Sequence, residues 1–436
     1  MLKKLFLTGF LAFLLSSSAQ PIFAQEGVWT GDLKVGPNRL QLVFHFEKEG
    51  CTLDSPDQGV RGIEVNRNEA PSPTLSLSIP SIGASYKGVW MGNKIMGTFV
   101  QHGHEIPLTL QPGENLRKRP QTPKAPFPYA TEEVSFNNGD AILKGTLSLP
   151  KGYTKSTPVV LMVTGSGLQN RDSEIFEHKP FAVIADAFAR HGIATLRYDD
   201  RGFGESTGDI REVTPLDLQN DALAGIRYLR QRFDHVGVLG HSEGGTIGLL
   251  LAADRQVDFV VSLAAMVVSG KETLLAQNRS LLQRLVFSTA VTEDYLKVLE
   301  ELFSQAMAGE VVQLSQHSTL PENLQANLNQ VVQSLQLPYL PHFLKMEVAK
   351  SLDKIQCPVL ALNGSKDTQV DCNSNLPLLK KGIGSAQSQI KACKDLNHLF
   401  QTCQTGNSDE YPVIEETFSP AVIELMIQWI EQLKWK

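Results

Sequence analysis

From residue 159 onward, short, mostly apolar runs alternate with segments whose apolar residues recur at helical spacing, and this alternation constrains the fold more than any other feature. The runs are Val159-Val160-Leu161-Met162-Val163, Ala194-Thr195-Leu196-Arg197-Tyr198, Val236-Gly237-Val238-Leu239, Phe259-Val260-Val261-Ser262-Leu263 and Pro358-Val359-Leu360-Ala361-Leu362. A strand without polar alternation is one buried on both faces. Between the runs, Phe181, Ile184 and Phe188 fall at helical spacing, and residues from Leu216 to Arg232 read as a further helix. Strand–helix alternation of this kind predicts an α/β fold with a mostly parallel sheet and helices on both faces.

One interval breaks the rhythm. From about Val267 to Ile355 there is no strand signal, only helical stretches in which Leu296, Val298, Leu299, Leu302 and Phe303 recur at helical spacing. An insertion this long between two strands predicts a helical cap that shapes a pocket. Upstream, residues 25–112 read as short alternating strands such as Leu40 to Phe46 and Leu75 to Ile79, which predicts a small all-β module, a sandwich or open barrel. Gly27-Val28-Trp29-Thr30-Gly31 is echoed by Gly88-Val89-Trp90-Met91-Gly92, and His102-Gly103-His104 is expected to set two imidazoles on one strand face. Residues 113–130 are dense in proline, with a basic triplet Arg117-Lys118-Arg119. They read as a surface linker with solvated charges, leaving 131–436 as the second domain.

The first 24 residues read as an export signal rather than as fold. Lys3 and Lys4 precede an apolar stretch from Leu5 to Leu15, too short to span a bilayer, with cleavage expected after Ala19 or Ala24. The expectation is an exported protein, periplasmic or secreted, with no membrane span. Export permits disulfides, but five cysteines leave at least one thiol unpaired. A bridge among Cys372, Cys393 and Cys403 is one reading. Cys357 reads as a small buried hydrophobe. The net charge of −6, without a basic stripe, argues against nucleic acid as a partner. Oligomeric state is not legible.

Gly240-His241-Ser242-Glu243-Gly244 matches G-x-S-x-G, and its setting gives it weight. It follows an apolar strand directly and runs into Thr246 to Ala252, which reads as a helix. That strand–turn–helix arrangement lets Ser242 project from a tight turn at a helix N-terminus, where developing negative charge is stabilised. A serine hydroxyl needs a base and an orienting carboxylate to act as a nucleophile. In this topology the acid follows the serine and the histidine comes last. His398 is the only histidine after His342. Asp367 follows the strand ending at Leu362, but Asp371 and Asp395 are close in sequence, and Asp367 also reads as a helix N-cap. A tetrahedral oxyanion needs two backbone donors: the N–H of Glu243, and one from Thr164-Gly165-Ser166-Gly167, with Ser166 favoured. Gly167, Asn170 and Arg171, just past that loop, are candidate substrate contacts. Asp199-Asp200-Arg201 reads as a structural ion-pair network.

The motifs Gly165-Ser166-Gly167-Leu168-Gln169-Asn170-Arg171-Asp172, Arg197-Tyr198-Asp199-Asp200-Arg201-Gly202-Phe203-Gly204-Glu205-Ser206, His241-Ser242-Glu243-Gly244-Gly245, Asn363-Gly364-Ser365-Lys366-Asp367 and Leu396-Asn397-His398-Leu399-Phe400 stand in this order. Together they resemble the bacterial α/β-hydrolases of the EstD-like esterase and serine-aminopeptidase-like groups, from about Glu132 to the end. The resemblance implies a triad of Ser242, Asp367 and His398. The leading expectation is hydrolysis of a small-molecule carboxylic ester through an acyl-enzyme, because esters demand less leaving-group protonation than amides, and no metal or organic cofactor is implied. The oxyanion strand carries Thr164-Gly165 where many such hydrolases have His-Gly. The residues leave three functions open: a serine carboxylesterase, a serine peptidase or aminopeptidase on the same triad, and a non-catalytic envelope- or carbohydrate-binding protein.

Overall fold

The structure is a computed structural model describing residues 26–35, 38–48, 50–58, 60–113, 118–314 and 320–435. The export-signal reading lies outside the described residues. The chain divides into two compact units, residues 1–116 and 117–436.

The first unit is a nine-stranded antiparallel sheet formed by β1 (Gly27–Val35), β2 (Asn38–Phe46), β3 (Cys51–Ser55), β4 (Val60–Glu64), β5 (Asn66–Asn68), β6 (Thr74–Ile79), β7 (Ala84–Met91), β8 (Lys94–Gln101) and β9 (His104–Pro112). Its order is β4-β3-β2-β1-β9-β8-β7-β6-β5, so its two edges are consecutive strands. The sheet curls around one core that includes Trp29, Phe44, Leu53, Tyr86, Phe99 and Leu110. The echoed tryptophans meet there: Trp29 and Trp90 pack edge to face with centroids 4.9 Å apart. His102 and Gly103 form the β8–β9 turn, with φ of 48° and 82°. The expectation that His102 and His104 share a strand face is therefore corrected.

In the second unit an antiparallel hairpin, β10 (Ala130–Asn138) and β11 (Ala141–Leu149), joins a parallel sheet. Its strands are β12 (Val159–Val163), β13 (Ala194–Tyr198), β14 (Val236–His241), β15 (Phe259–Leu263), β16 (Val359–Gly364) and β17 (Gln389–Cys393), in the order β10-β11-β13-β12-β14-β15-β16-β17. Successive side chains supply two cores. Val159, Leu161 and Val163 pack with α2 (Pro215–Leu229), α3 (Glu243–Ala253) and α8 (Cys372–Gly382). Val160 and Met162 pack with α1 (Pro180–Arg190) and α9 (Pro420–Glu431). Burial on both faces is why these runs lack polar alternation.

Between β15 and β16 lie α4 (Gly270–Arg284), α5 (Thr289–Ala308), α6 (Glu322–Leu335) and α7 (Tyr339–Leu344). Ser269 opens α4 with a capping box to Glu272, and Gly309 closes α5 in the left-handed region. Leu296, Val298, Leu299, Leu302 and Phe303 pack into the insertion's own core. The expected cap therefore has a hydrophobic centre separate from the sheet.

Of the basic triplet, Lys118 is exposed as expected and Arg117 lies outside the described residues, but Arg119 is not a solvated charge. The Arg119 guanidinium donates to the carbonyls of Phe176, Pro412 and Ile414, and the Gln121 side chain bonds to Thr417 and Phe418. Three carbonyls converging on one guanidinium fasten the start of the second unit to its later loops. All five cysteines are unpaired, so the bridge among Cys372, Cys393 and Cys403 is absent. Cys357 is half-buried, and burial pushes its thiol up to about 12. Among the described residues no helix is long and apolar enough to cross a membrane.

Candidate active site

Ser242 stands between the end of β14 and the start of α3 with φ 55° and ψ −119°, in the positive-φ region that L-residues rarely adopt. The neighbouring glycines make this turn sterically feasible. A Cβ on Gly240 would lie 2.0 Å from the Gly244 carbonyl oxygen, and one on Gly244 would lie 2.2 Å from that of Val163. The G-x-S-x-G spacing is thus a packing requirement: strand, turn and helix touch backbone to backbone. The Ser242 N–H donates to the Leu263 carbonyl at 2.8 Å, pinning the turn to β15. A strained residue held this firmly projects its side chain at the sheet's carboxyl edge.

Two loops at that edge bring His398 and Asp367 together. Nδ1 of His398 donates to Oδ2 of Asp367 at 2.7 Å, and both side chains are buried. Oδ1 of Asp367 accepts the N–H groups of Gln369 and Val370 at 2.8 and 2.9 Å. The carboxylate therefore closes its own turn and orients the imidazole. The rival carboxylates go elsewhere. Asp371 is the N-cap of α8, accepting from Asn373 and Ser374, and Asp395 pairs with Lys366 at 3.2 Å.

Further residues hold the histidine in ways the motifs do not announce. Nε2 of His241 donates to the His398 carbonyl at 2.8 Å, with ring centroids 4.7 Å apart. Burial, with His398 nearby, pushes the His241 imidazole down to about 4, so it stays neutral. Buried Asn397 accepts the N–H groups of Leu399 and Gln401, fixing the loop on either side of His398. The only sequence signal for His241 is its place inside the elbow.

Ser242, His241 and His398 line a cavity of about 470 Å³. Its apolar wall includes Met266, Leu274, Leu340, Phe343 and Leu399; its polar side includes Gln169, Gln277, Gln369 and Tyr411. The cap contributes through α4 and α7. The α5 residues expected to shape the pocket lie instead in the cap's own core, because their face of the helix packs on α4, α6 and α7.

Ser166 lines the cavity, while Glu243 is buried beneath it at 1 % exposure. Asp200 fastens the Ser166 loop from below. Its carboxylate accepts the Thr164 hydroxyl at 2.9 Å and the Gln169 N–H at 2.8 Å. Burial raises Asp200 to about 7. Asp199 takes the backbone and guanidinium of Arg171, and Arg201 pairs with buried Asp221, so two of the three residues expected in an ion-pair network make ion pairs, each with a different partner, while Asp200 is held by neutral donors. Arg171 is consequently not a cavity residue: its guanidinium also binds Glu133, Glu205 and Thr146. Asn170 caps its own turn through Asp172 and Glu174. Gly167, with φ 86°, gives the loop its bend. None of these three is among the residues lining the cavity.

The family comparison agrees with the fold. The profile of the serine aminopeptidase S33 family matches residues 177–402. Esterase EstD of Thermotoga maritima is 27 % identical over 277 residues, covering 63 % of this chain and 61 % of that protein, so the chain spans about three fifths of this relative's length. Among solved structures, Est1E from Butyrivibrio proteoclasticus aligns with a TM-score of 0.40 at 17 % identity, over 69 % of this chain and 99 % of that one. Proline iminopeptidase from Mycobacterium smegmatis aligns with a TM-score of 0.43 at 15 % identity, over 69 % and 98 %. On the family profile, the chain belongs to the serine aminopeptidase S33 family of α/β-hydrolases.

Proposed function

We propose that this protein is an exported serine hydrolase that cleaves carboxylic esters of small molecules through an acyl-enzyme, with Ser242, His398 and Asp367 as its triad. The observation that carries the reading is the 2.7 Å pair of His398 and Asp367 on the same cavity as the strained Ser242 turn. In the reaction, Nε2 of His398 takes the Ser242 hydroxyl proton as Oγ attacks the ester carbonyl, while Asp367 fixes the tautomer and stabilises the imidazolium. The backbone N–H groups of Glu243 and Ser166 receive the oxyanion. Collapse expels the alcohol with the proton from His398, and water attacks the acyl-enzyme by the same steps in reverse roles. The apolar wall of Met266, Leu274, Leu340 and Phe343 suits an acyl chain.

The amide-cleaving alternative has one observation in its favour beyond the family's description: Glu174 lines the cavity and could face a substrate ammonium. Glu174 is already engaged with Lys179 at 3.5 Å and with Asn170, which leaves the ester reading ahead. A panel of p-nitrophenyl esters and aminoacyl p-nitroanilides on the purified protein separates the two. Faster turnover of the anilides would replace the ester reading, and N-terminal sequencing of the mature protein tests export.

A further inference from the structure

The cap touches the floor of the site at one polar point. Tyr339, the first residue of α7, lines the cavity beside Ser166 and Ser242, and its hydroxyl donates to Oε2 of Glu243. The Ser166 hydroxyl lies close to both of them. Glu243 is 1 % exposed, and its other oxygen, Oε1, is buried with no hydrogen-bond partner among the described residues. Glu243, one of the two residues given the oxyanion donors, is therefore tied to the cap through one phenol, with Ser166, the other, beside it on the cavity.

A buried carboxyl whose one side-chain hydrogen-bond partner among the described residues is a phenol is sensitive to losing it. Burial pushes Glu243 up, and burial with Glu243 close by pushes Tyr339 up, so neither group gains from ionising here. Glu243 is also the first residue of α3, so the bond from Tyr339 anchors the residue that carries the N–H next to the nucleophile. The Tyr339 ring is held separately, stacked 6.1 Å from Phe343 at 23°.

We propose that Tyr339 is a positioning residue that couples the seating of the cap to the oxyanion site, by holding the Glu243 carboxyl in place. This inference rests on the esterase reading above.

The test is Tyr339→Phe, which keeps the ring and its stack and removes only the hydroxyl. With p-nitrophenyl acetate, kcat is expected to fall about tenfold while KM stays within about twofold, the scale of one hydrogen bond felt in the transition state. Glu243→Gln, which alters the other end of the same bond, should lower kcat to a similar extent. The double variant should be little worse than the worse single one, because both act through one bond. An unchanged kcat, a loss confined to KM, or full additivity would each overturn the proposal. Should Tyr339→Phe not fold, Glu243→Gln takes its place with the same expected loss in kcat, and wild-type turnover there overturns it equally. The two readings fail separately. An active wild type with a wild-type-like Tyr339→Phe removes only the coupling; a wild type that neither hydrolyses esters nor reacts at Ser242 removes both.

Discussion

Asp367 faces His398 with one carboxylate oxygen and its own chain with the other: Oδ2 takes Nδ1 of His398 at 2.7 Å, and Oδ1 takes the N–H groups of Gln369 and Val370. A carboxylate fixed at both ends has little freedom to rotate, so the imidazole it orients is pre-positioned. Asp367→Asn should keep the turn but present the wrong group to Nδ1, lowering kcat about 10³–10⁴-fold. Asp371→Ala, by contrast, should cost about 1 kcal/mol of stability through a lost helix cap and leave kcat near wild type. Steady-state kinetics and urea unfolding of the two variants check this pair.

His241 acts on the same imidazole from the other side, through the backbone. His241→Ala removes the donor to the His398 carbonyl, and kcat is expected to fall about tenfold with KM little changed. His241→Gln, which can still donate, should recover part of the loss. Equal loss in both variants would mean that the ring's packing, not its hydrogen bond, matters.

Pocket shape belongs to α4 and α7. Leu274→Ala and Phe343→Ala enlarge the cavity wall and should shift the preferred acyl chain toward longer esters in a kcat/KM series. Leu299→Ala and Leu302→Ala empty the cap's own core. These should cost about 2–5 kcal/mol of stability and leave the length preference unchanged.

Two buried groups near the site pull stability in opposite senses below neutrality. Asp200, raised to about 7 mainly by burial, holds its proton in the folded state after the unfolded chain has released it. Its contribution is full below about pH 4 and is lost as pH rises through 7. His241, lowered to about 4 by burial, contributes in full above about pH 6.5 and loses it as pH falls through 4. Asp200→Asn removes only the first effect. Between pH 5 and pH 8 the wild type should therefore lose about 2 kcal/mol more unfolding free energy than this variant. Parallel urea titrations at the two values measure it.

The sheet and its carboxyl-edge loops were legible because their cause is local. Val159 to Val163 is apolar throughout because both faces are covered, and Gly240 and Gly244 flank Ser242 because no side chain fits there. What stayed hidden depends on distant contacts. Tyr339 meets Glu243 across 96 residues, and nothing in its own neighbourhood marks it. Arg119 looked like a solvated charge until Phe176, Pro412 and Ile414 supplied carbonyls from far along the chain. Helical spacing in α5 correctly signalled a buried face, but spacing does not say which core buries it. The β10–β11 hairpin was missed because β10 is largely exposed and polar, as an edge strand should be.

The central claim is that Ser242 is the nucleophile, and adduct mapping tests it most directly. The full-length mature protein is treated with a serine-directed fluorophosphonate, digested, and the modified residue located by tandem mass spectrometry. The account predicts one adduct per chain, on Ser242, and none when Ser242→Ala is treated alike. An adduct on another residue, or wild-type protein that hydrolyses esters yet carries no label on Ser242, would contradict it.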